Sequence, residues 1–464
     1  FATVGIIFNA NCSGKGICGA CKVYIEEEKE FILACKYVVT TDIHVRVNFL
    51  LSKENKTANY NEDSTLVGMK FPQSTKKNQD NSNAFYGISI DIGTTTIGMA
   101  LIYIPQGEIL NTYGVYNSQR VFGADVASRI FYADSKDKLN ELKKYVWKDI
   151  LTGIRTLIEY QEKWDMNKTL SIVINGNTTM LNILKGYDVS GIGRYPFTAV
   201  DLLGGESYIY EFNLETDFIY EYINKDLYDY VKNAVVKILP SASAYIGSDV
   251  ISGAAYLKLG QTEDYEMLID LGTNGEIIIA NNKMGVSGST ACGPAFEQAL
   301  KGHQTYGSNL IDRIIDAYDR RLINQEGMII KRFFDKGIPC DGGVILTQKT
   351  IRDIQLAKAA IYAGIIILTR HLNIDISDIK KVYIAGGFGA HLNIEHGARL
   401  GMLPKELLGR YEIVGNTSLK SGVEYLINPS IQNVIEEFIL KLENVDLATK
   451  EDFNKVYLNS IKFD

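Results

Sequence analysis

The chain has 464 residues, of which 46% are hydrophobic and 22% are charged, and its formal net charge is −7. This length exceeds what one hydrophobic core normally supports, so two or three domains are expected. The acidic balance argues against a nucleic-acid partner, which would require a basic face. The densest apolar run, Ala359–Leu368, has about half the length of a membrane span and is typical of a buried helix, so no membrane anchor is predicted.

Four of the six cysteines lie near the amino end, in the pattern C-x5-C-x2-C-x13-C formed by Cys12, Cys18, Cys21 and Cys35. Three thiolates on a glycine-rich loop and a fourth on a later segment are typical of a two-iron two-sulfur (2Fe–2S) site. Structural zinc is the alternative, although zinc usually takes two C-x2-C pairs and only Cys18 and Cys21 form one. The spacing therefore predicts a 2Fe–2S electron carrier.

The two remaining cysteines, Cys292 and Cys340, stand alone and are expected to be small buried hydrophobes. Cysteines crowded into one corner of a large chain do not suit a secreted disulfide framework, and no export signal is visible. We therefore expect a cytoplasmic, reducing location. The sequence begins at Phe1 and not at a methionine, which leaves an upstream segment open.

Residues 1–50 are predicted to form a small cysteine-bearing module, with short strands at Lys22–Glu27 and His44–Leu50 where apolar residues alternate. From 51 to 84 the sequence is polar and holds few large apolar groups, so a flexible linker is predicted. Either this linker lets an electron-carrying head swing, or it is an ordinary disordered connector. Composition does not separate these alternatives.

The rest of the chain predicts an α/β fold. Apolar runs that end at glycines predict strands in FYGISIDIG, SIVINGN, YEMLIDLGTNGEIIIA and KVYIAGGFG. Long helices are predicted at Lys136–Lys163 and Gln348–Leu372. Because Asp-Gly-Thr strands recur, we predict two similar lobes, 85–262 (which includes a middle domain) and 263–464.

Each Asp-Gly-Thr motif predicts a phosphate-binding turn at the end of a strand. The first contains Asp91, Gly93, Thr94 and Thr95, and the second contains Asp270, Gly272, Thr273, Asn274 and Gly275. Glycine allows the backbone to approach phosphate, while threonine hydroxyls and N–H groups donate to its oxygens. The aspartates suit Mg²⁺, which keeps most of its waters. One such motif alone is often only a turn, whereas two copies predict an ATP clamp.

A third motif, IAGGFGAHLN, places Gly386, Gly387 and Gly389 at a strand-to-helix junction. The absence of side chains there would leave room for adenine or ribose against the backbone. Tight packing of the helix on the strand is the alternative explanation of these glycines. Two phosphate motifs followed by an adenosine motif favour nucleotide binding.

The three ordered motifs resemble the actin-like ATPase superfamily, which includes acetate and sugar kinases, large heat-shock chaperones and actin. Together with the cysteine cluster, the segments INGNTTMLNIL, STACGPAFE and TQKTIRDIQLAKAAIYAGI resemble the reductive activators of corrinoid proteins. This resemblance extends from about Cys12 nearly to the carboxyl end, with the linker as its interruption. The ferredoxin of that family opens with a β-hairpin before the first cysteine, and only Phe1–Asn11 precede Cys12 here.

The resemblance implies a small β-grasp 2Fe–2S ferredoxin-like domain followed by duplicated, actin-like (ribonuclease H-like) ATPase lobes. It implies that an electron from a low-potential donor, of the ferredoxin or flavodoxin type, passes through the 2Fe–2S centre. With ATP, this electron would return the inactive Co(II) corrinoid of a methyltransferase system to Co(I). The implied partners are thus the corrinoid protein and the donor, and related activators form homodimers.

Carried over residue by residue, Cys12, Cys18, Cys21 and Cys35 would hold the 2Fe–2S centre, the two Asp-Gly-Thr turns would hold ATP with Mg²⁺, and Gly386, Gly387 and Phe388 would face the adenosine. Asp91, Asp270 and Asp249 are the candidate catalytic carboxylates. Asn177 and Asp249 are further candidates near the phosphates, although an ordinary turn asparagine and loop aspartate explain them equally well. Glu276 either positions a water or joins an ion pair, and no general base is assigned.

Three other functions stay open. A small-molecule kinase of the acetate or sugar type with a redox-regulatory iron–sulfur head would need a substrate base, which the motifs do not locate. An ATP-dependent activator of a radical dehydratase usually bridges two subunits with a four-iron cluster, whereas this single chain carries all four cysteines. A redox adaptor would bind nucleotide without turnover.

Overall fold

The computed structural model describes residues 22–25, 30–33, 36–37, 45–46, 84–161, 164–292, 307–341 and 344–463. The four cysteines of the predicted 2Fe–2S site, the predicted linker up to residue 83 and the segment 293–306 lie outside these ranges. The chain divides into two compact units, of which unit 1 comprises Phe1–Gly247 with Gly422–Pro429, and unit 2 comprises Ser248–Ser421 with Ser430–Asp464. The predicted domain limits stay a prediction.

Three short strands near the amino end form an antiparallel sheet with β1 in the centre. They are β1 (Lys22–Ile25), β2 (Glu30–Leu33) and β3 (Val45–Arg46). Strands β1 and β3 fall within the two segments in which alternation predicted strands, and the other residues of those segments lie outside the described ranges. The side chain of Ile25 is fully buried. The β-grasp ferredoxin-like fold stays a prediction, since the cysteine-bearing segments lie outside the described residues.

Unit 1 contains a six-stranded sheet in the order β6-β5-β4-β7-β9-β8. Its strands are β4 (Ala84–Ile92), β5 (Thr96–Tyr103), β6 (Glu108–Tyr116), β7 (Thr169–Gly176), β8 (Gly205–Tyr208) and β9 (Val235–Ile238). The strands β4, β5 and β6 form an antiparallel meander, and β7 and β9 continue the sheet parallel to β4. The central strand β4 is rich in isoleucine, as is typical of a buried strand, and Ile88, Ile90 and Ile92 are all fully buried.

The helices of unit 1 are α1 (Val126–Tyr132), α2 (Lys136–Glu159), α3 (Thr178–Lys185), α4 (Thr216–Tyr220) and α5 (Lys225–Val231). The long helix α2 confirms the predicted helix and packs on β5 and β6. Its apolar residues recur every three or four positions, so they form one buried face. At Gly153 this face approaches β5 so closely that a Cβ would lie 2.4 Å from the Sδ of Met99.

Unit 2 contains a second six-stranded sheet in the order β16-β15-β10-β11-β12-β17 and a two-stranded sheet of β13 and β14. Its strands are β10 (Tyr265–Leu271), β11 (Gly275–Ala280), β12 (Gly285–Thr290), β13 (Ile338–Pro339), β14 (Ile345–Leu346), β15 (Ile379–Ala385), β16 (Tyr411–Gly415) and β17 (Leu442–Asn444). The remaining helices are α6 (Ser248–Tyr256), α7 (Gly307–Asp319), α8 (Gln348–His371), α9 (Ile394–Arg399), α10 (Thr417–Ile427), α11 (Ile431–Leu440) and α12 (Glu451–Asn459). Helix α10 begins in unit 2 and ends in unit 1.

The two large sheets repeat one arrangement of five strands. In unit 1 the meander of β6, β5 and β4 is followed by two parallel strands, β7 and β9, and in unit 2 the meander of β12, β11 and β10 is followed by β15 and β16. The sixth strand differs, since β8 is antiparallel to β9 whereas β17 is parallel to β12. This repeat agrees with the duplication that the sequence predicted. It places Asp91 and Asp270 at equivalent points of the two sheets.

The apolar run Ala359–Leu368 forms the middle of α8 and is mostly buried, as predicted. The same helix buries Gln355 and Lys358, whose side chains donate to carbonyl oxygens of Ile461 and Lys462 and so attach the last described residues to the core of unit 2. Among the helices that the structure describes, none has both the length and the apolar character that crossing a bilayer requires.

Replacement of Gly153 by alanine should destabilise unit 1. The added methyl group would overlap Met99, and the buried helix face leaves it no alternative position. We expect the free energy of unfolding to fall by about 1–3 kcal/mol. Urea denaturation followed by tryptophan fluorescence measures this directly, because both tryptophans of the chain, Trp147 and Trp164, belong to unit 1.

The matched control is Asn140→Ala on the exposed face of the same helix, which should change the free energy of unfolding by less than about 0.5 kcal/mol. If Gly153→Ala were as stable as this control, the close packing of α2 on β5 would be refuted.

Candidate functional site

The first turn joins β4 to β5 through residues 93–95. The N–H of Gly93 donates to the carbonyl oxygen of Thr96 at 2.9 Å, which closes the hairpin. A Cβ at residue 93 would lie 2.8 Å from that same oxygen, so only glycine fits without a shift of the backbone. The turn therefore requires Gly93 for its own geometry.

All three carbonyls of this turn are held toward the interior of unit 1. The side-chain amide of the fully buried Asn117 donates to Gly93 O at 2.9 Å, and its backbone N–H donates to Thr95 O at 2.8 Å. The guanidinium of the fully buried Arg129 donates to Thr94 O. In a trans peptide the following N–H points opposite to the carbonyl, so the N–H groups of Thr94 and Thr95 point outward. Successive N–H groups with this orientation form an anion-binding concavity.

Asn177 connects the same turn to helix α3. Its Oδ1 accepts the N–H of Met180 at 3.0 Å and so caps the helix, while its Nδ2 donates to Thr94 Oγ1 at 3.1 Å. Because the threonine oxygen accepts this bond, its own hydrogen is directed to another acceptor. Asn177 is thus both a capping asparagine and a neighbour of the predicted phosphate turn.

Asp91 is the second-last residue of β4 and lies opposite Gly98 of β5 and Asn175 of β7. The neighbouring strand end is tightly packed, since a Cβ at Gly176 would lie 2.8 Å from the carbonyl oxygen of Ile92. The half-buried Asp91 is therefore carried beside the turn at the carboxyl end of the central strand.

Sequence reasoning missed Asn117, Gln119 and Arg129, all of which are fully buried. Gln119 accepts a hydrogen bond from Arg129 at 3.1 Å and donates to the carbonyl oxygen of Leu142 in α2 at 2.9 Å. No motif spacing marks these residues, because the side chains of Asn117 and Arg129 reach the turn from 24 and 35 residues away. The one available signal was the polar run that directly follows the apolar strand β6.

A buried carboxylate on α2 supports this network. Asp149 is 4% exposed, and its oxygens accept the backbone N–H and the hydroxyl of Ser118, each at 2.7 Å. Burial raises the pKa of Asp149 from 3.8 to about 6, and the hydrogen bonds from Ser118 oppose this only in part. Because Ser118 follows Asn117, the ionisation of Asp149 occurs next to the residue that holds the turn.

The second turn joins β10 to β11 through residues 272–274, and the N–H of Gly272 donates to Asn274 O at 2.9 Å. A Cβ at Gly272 would make only an ordinary van der Waals contact, 3.9 Å from Asn274 O, whereas a Cβ at Gly275 would lie 2.9 Å from the Sγ of Cys292. Gly272 therefore suits close approach of a ligand, and Gly275 serves the packing of the hairpin. Burial raises the pKa of the Cys292 thiol to about 12, so this cysteine behaves as the inert buried residue that was expected.

Three carboxylates of unit 2 lie close together beside this turn. Glu276 is directly opposite Asp270 in the β10–β11 ladder, and Asp249 belongs to the first turn of α6. Burial, and then the negative charges of Asp270 and Asp249, raise the pKa of Glu276 well above its ordinary value. Within the part of the chain that the structure describes, no three His, Cys, Asp or Glu side chains are arranged to ligate a metal. Carboxylates can hold a magnesium ion through its bound waters, so direct ligation is not a requirement for such a site.

The third motif packs against the second turn. Gly386 has a φ of +85°, and a Cβ there would lie 2.5 Å from both Asp270 Oδ1 and Leu271 O. In the repeated topology this residue has the position in unit 2 that Gly176 has in unit 1, a correspondence that sequence reasoning missed. Tight packing, the alternative considered for these glycines, therefore accounts for Gly386.

The other two residues of the predicted adenosine motif differ from each other. Gly387 is exposed, with no atom within 4 Å of the position of a Cβ, so a ligand can approach its backbone. The ring of Phe388 is buried in the core of unit 2, and its N–H donates to Leu271 O at 3.3 Å. Any contact of Phe388 with a ligand would thus involve its backbone and not its ring, because the core holds the ring.

The sequence profile described as the RACo middle region matches residues 86–262, and the profile described as the C-terminal domain of RACo, the ASKHA domain, matches residues 264–303 and 304–464. The corrinoid activation enzyme RamQ of Eubacterium limosum is 25% identical, over 100% of this chain and 95% of that relative. The chain belongs to the reductive activators of corrinoid proteins. The resemblance seen in its motifs is thereby confirmed.

Two further comparisons agree with this membership. The chain is 21% identical to the [Co(II) methylated amine-specific corrinoid protein] reductase of Methanosarcina barkeri, over 82% of this chain and 77% of that protein. A solved structure, the reductive activator for corrinoid, iron–sulfur protein, matches with a TM-score of 0.70 and 22% identity, over 99% of this chain and 94% of that chain. At this identity the structural match shows a shared fold.

Replacement of Asn177 by aspartate should weaken nucleotide binding with little loss of stability. The new carboxylate still caps α3 but cannot donate to Thr94, whose hydroxyl then turns toward it. We expect ATP affinity to fall about tenfold while the free energy of unfolding changes by less than about 1 kcal/mol. Calorimetric titration and urea denaturation measure the two quantities.

Asn224 caps α5 with the same geometry, accepting the N–H of Leu227 at 2.8 Å, and Asn224→Asp is therefore the matched control. It should leave ATP affinity unchanged. Equal ATP affinity of Asn177→Asp and the unmodified protein would contradict the role assigned to the amide.

Replacement of Asp149 by asparagine should alter how the stability of unit 1 depends on pH. Between pH 3.8 and about 6 the folded protein keeps a proton on Asp149 that the unfolded chain releases, so stability falls as pH rises through this window and is level above it. The asparagine variant lacks this group. Relative to the asparagine variant, the free energy of unfolding of the unmodified protein should fall by about 3 kcal/mol across this pH window. Urea denaturation at several pH values measures this difference. Parallel pH profiles of the two proteins would show that Asp149 titrates normally.

Proposed function

We propose that this chain is an ATP-dependent reductive activator that returns the inactive Co(II) corrinoid of a methyltransferase system to Co(I) by adding one electron. The relatives support this, since one is described as a corrinoid activation enzyme and another as a reductase of a Co(II) corrinoid protein. The structural observation that carries the proposal is the pair of hairpin turns, one with outward N–H groups and one beside clustered carboxylates.

The two turns have different tasks in this proposal. In unit 1, the N–H groups of Thr94 and Thr95 and the hydroxyl of Thr94 would donate to phosphate oxygens. In unit 2, Asp249 and Asp270 would hold the waters of Mg²⁺, which supplies charge neutralisation at the phosphates. The open backbone at Gly387 would accommodate adenosine. Thr273 and Asn274 of the second turn would also contribute to nucleotide binding.

Asp91 offers an equivalent carboxylate at the first turn. Of the three candidate catalytic residues, Asp249 and Asp270 are close enough for their charges to act on Glu276. We assign all three to positioning and electrostatics, which carry most of phosphoryl transfer. Glu276 is not assigned as a general base.

ATP can shift a conformational equilibrium only by its different affinity for the two states. We propose that nucleotide binding changes the affinity of the activator for the corrinoid protein. Docking of the activator would then displace or weaken the axial ligand of Co(II), which favours formation of Co(I).

Cys12, Cys18, Cys21 and Cys35 would hold the 2Fe–2S centre, on the strength of their spacing. That centre supplies a one-electron carrier between a ferredoxin- or flavodoxin-type donor and the corrinoid. The partners proposed are therefore this donor, the corrinoid protein and, by analogy with related activators, a second copy of the chain.

The deciding experiment mixes the anaerobically reduced protein with a Co(II) corrinoid protein and follows the absorbance of Co(I) with and without ATP. We expect Co(I) to form only with ATP. Cys35→Ser should abolish its formation by removing a cluster ligand, and Asp270→Asn should lower the ATP-dependent rate by at least about tenfold. Cys340→Ser is the matched cysteine control and should retain full activity.

Formation of Co(I) at the same rate without ATP would reject an ATP-dependent activator. ATP-dependent phosphorylation of an acid or sugar, with no Co(I) formed from any corrinoid protein, would favour the kinase alternative. Iron and acid-labile sulfide assays on Cys35→Ser separate loss of the 2Fe–2S centre from loss of nucleotide binding.

A further inference from the structure

Arg129, on α1, is the one arginine whose guanidinium is shown to contact the first turn among the described residues. Its side chain is fully buried, and its Nη2 donates to the carbonyl oxygen of Thr94. Two further acceptors fix the plane of the guanidinium, since Nε donates to Gly123 O and Nη1 to Gln119 Oε1, each at 3.1 Å. Nη1 also lies 3.2 Å from the Sδ of Met180. Because these contacts surround a planar group, its position is determined independently of any ligand.

The elements around Arg129 hold it in place. Asp125 caps α1 by accepting the N–H of Ser128 at 2.7 Å, which sets the start of the helix that carries Arg129. A Cβ at Gly123 would lie 2.6 Å from the Cβ of Ser128, so the carbonyl that receives Nε is packed directly against the helix. Gln119 in turn donates to the carbonyl oxygen of a residue in α2.

The orientation of the Thr94 carbonyl has a direct consequence for the next peptide group. The carbonyl of Thr94 and the N–H of Thr95 belong to one planar trans peptide and point in opposite directions. The hydrogen bond from Arg129 directs this carbonyl inward, and it therefore directs the N–H of Thr95 outward. Loss of this bond would leave a buried carbonyl unsatisfied, and rotation of the peptide plane would relieve it. The N–H of Thr95 would then turn away from the anion site.

We propose that Arg129 is a positioning residue for nucleotide phosphate, which acts by turning the Thr94–Thr95 peptide so that its N–H faces the bound phosphate chain. The inference rests on the proposed use of ATP and identifies the residue that prepares the first turn for it. The ligands concerned are nucleotides with a phosphate chain, ATP and ADP. Arg129 has no effect on the binding of a nucleoside that lacks phosphate.

The test compares the full-length protein with Arg129→Met and Arg129→Lys by calorimetric titration with ATP, ADP and adenosine. The methionine variant removes both charge and hydrogen bonds, and the lysine variant keeps the charge but loses the planar fork. We expect both to bind ATP and ADP about tenfold more weakly and to bind adenosine within about twofold of the unmodified protein.

Gln119→Met and Arg194→Met complete the set. The first leaves Arg129 intact but removes one of its oxygen acceptors, Gln119 Oε1, and it should weaken ATP binding about threefold. The second removes an exposed arginine of the same unit and should change nothing, which controls for net charge. Thermal unfolding checks that each variant is folded, and Gln119→Met provides the answer if Arg129→Met is not.

Unchanged ATP affinity in Arg129→Met and Gln119→Met would overturn the inference, as would an equal loss for ATP and adenosine. If the unmodified protein binds ATP but forms no Co(I), the proposed function fails while the positioning role stands. If the unmodified protein forms Co(I) with ATP and the Arg129 variants bind ATP normally, the proposed function stands while the positioning role fails.

Discussion

Neither Gly176 nor Gly386 has room for a side chain, because each lies directly against the end of the central strand of its sheet. In unit 1 a Cβ would meet the carbonyl oxygen of Ile92 at 2.8 Å, and in unit 2 it would meet that of Leu271 at 2.5 Å. Each glycine ends or directly follows the parallel strand beside the central strand, so the hairpin turn can lie against the neighbouring strand end. In unit 2 the same Cβ would also lie 2.5 Å from Asp270 Oδ1, so the glycine leaves room for that carboxylate.

The two turns share this backbone arrangement but differ in what surrounds them. Buried amide and guanidinium donors hold the carbonyls of the first turn, which orients its N–H groups for an anion. The second turn is packed on the thiol of Cys292 and lies beside three carboxylates, which suit a hydrated cation. The duplication therefore repeats the strand order, whereas the polar residues around the turns differ between the two units.

Sequence patterns predicted the regular elements and part of the site. The long helices α2 and α8, the strands that carry the Asp-Gly-Thr motifs and the repeat of the lobes all follow from local periodicity and from a motif that occurs twice. The glycine-rich third motif correctly predicted a position where backbone segments approach closely, but it did not predict that its residues would have different surroundings. Gly386 packs against Asp270, Gly387 is open, and the ring of Phe388 belongs to the core. Neighbouring residues on one loop have different surroundings, which no local pattern contains.

The sequence alone determined the α/β class, the paired turns, the cysteine spacing and the family, because these depend on residues that are close along the chain. Tertiary structure alone decided which buried polar groups serve the turns. Asn117 and Arg129 reach the first turn from distant elements, and the carboxylates at Asp249 and Glu276 meet only through the folding of unit 2. Hydrogen-bond direction and the field of one charge on another depend on distances in space, and these exist only once the strands are paired and the helices are packed.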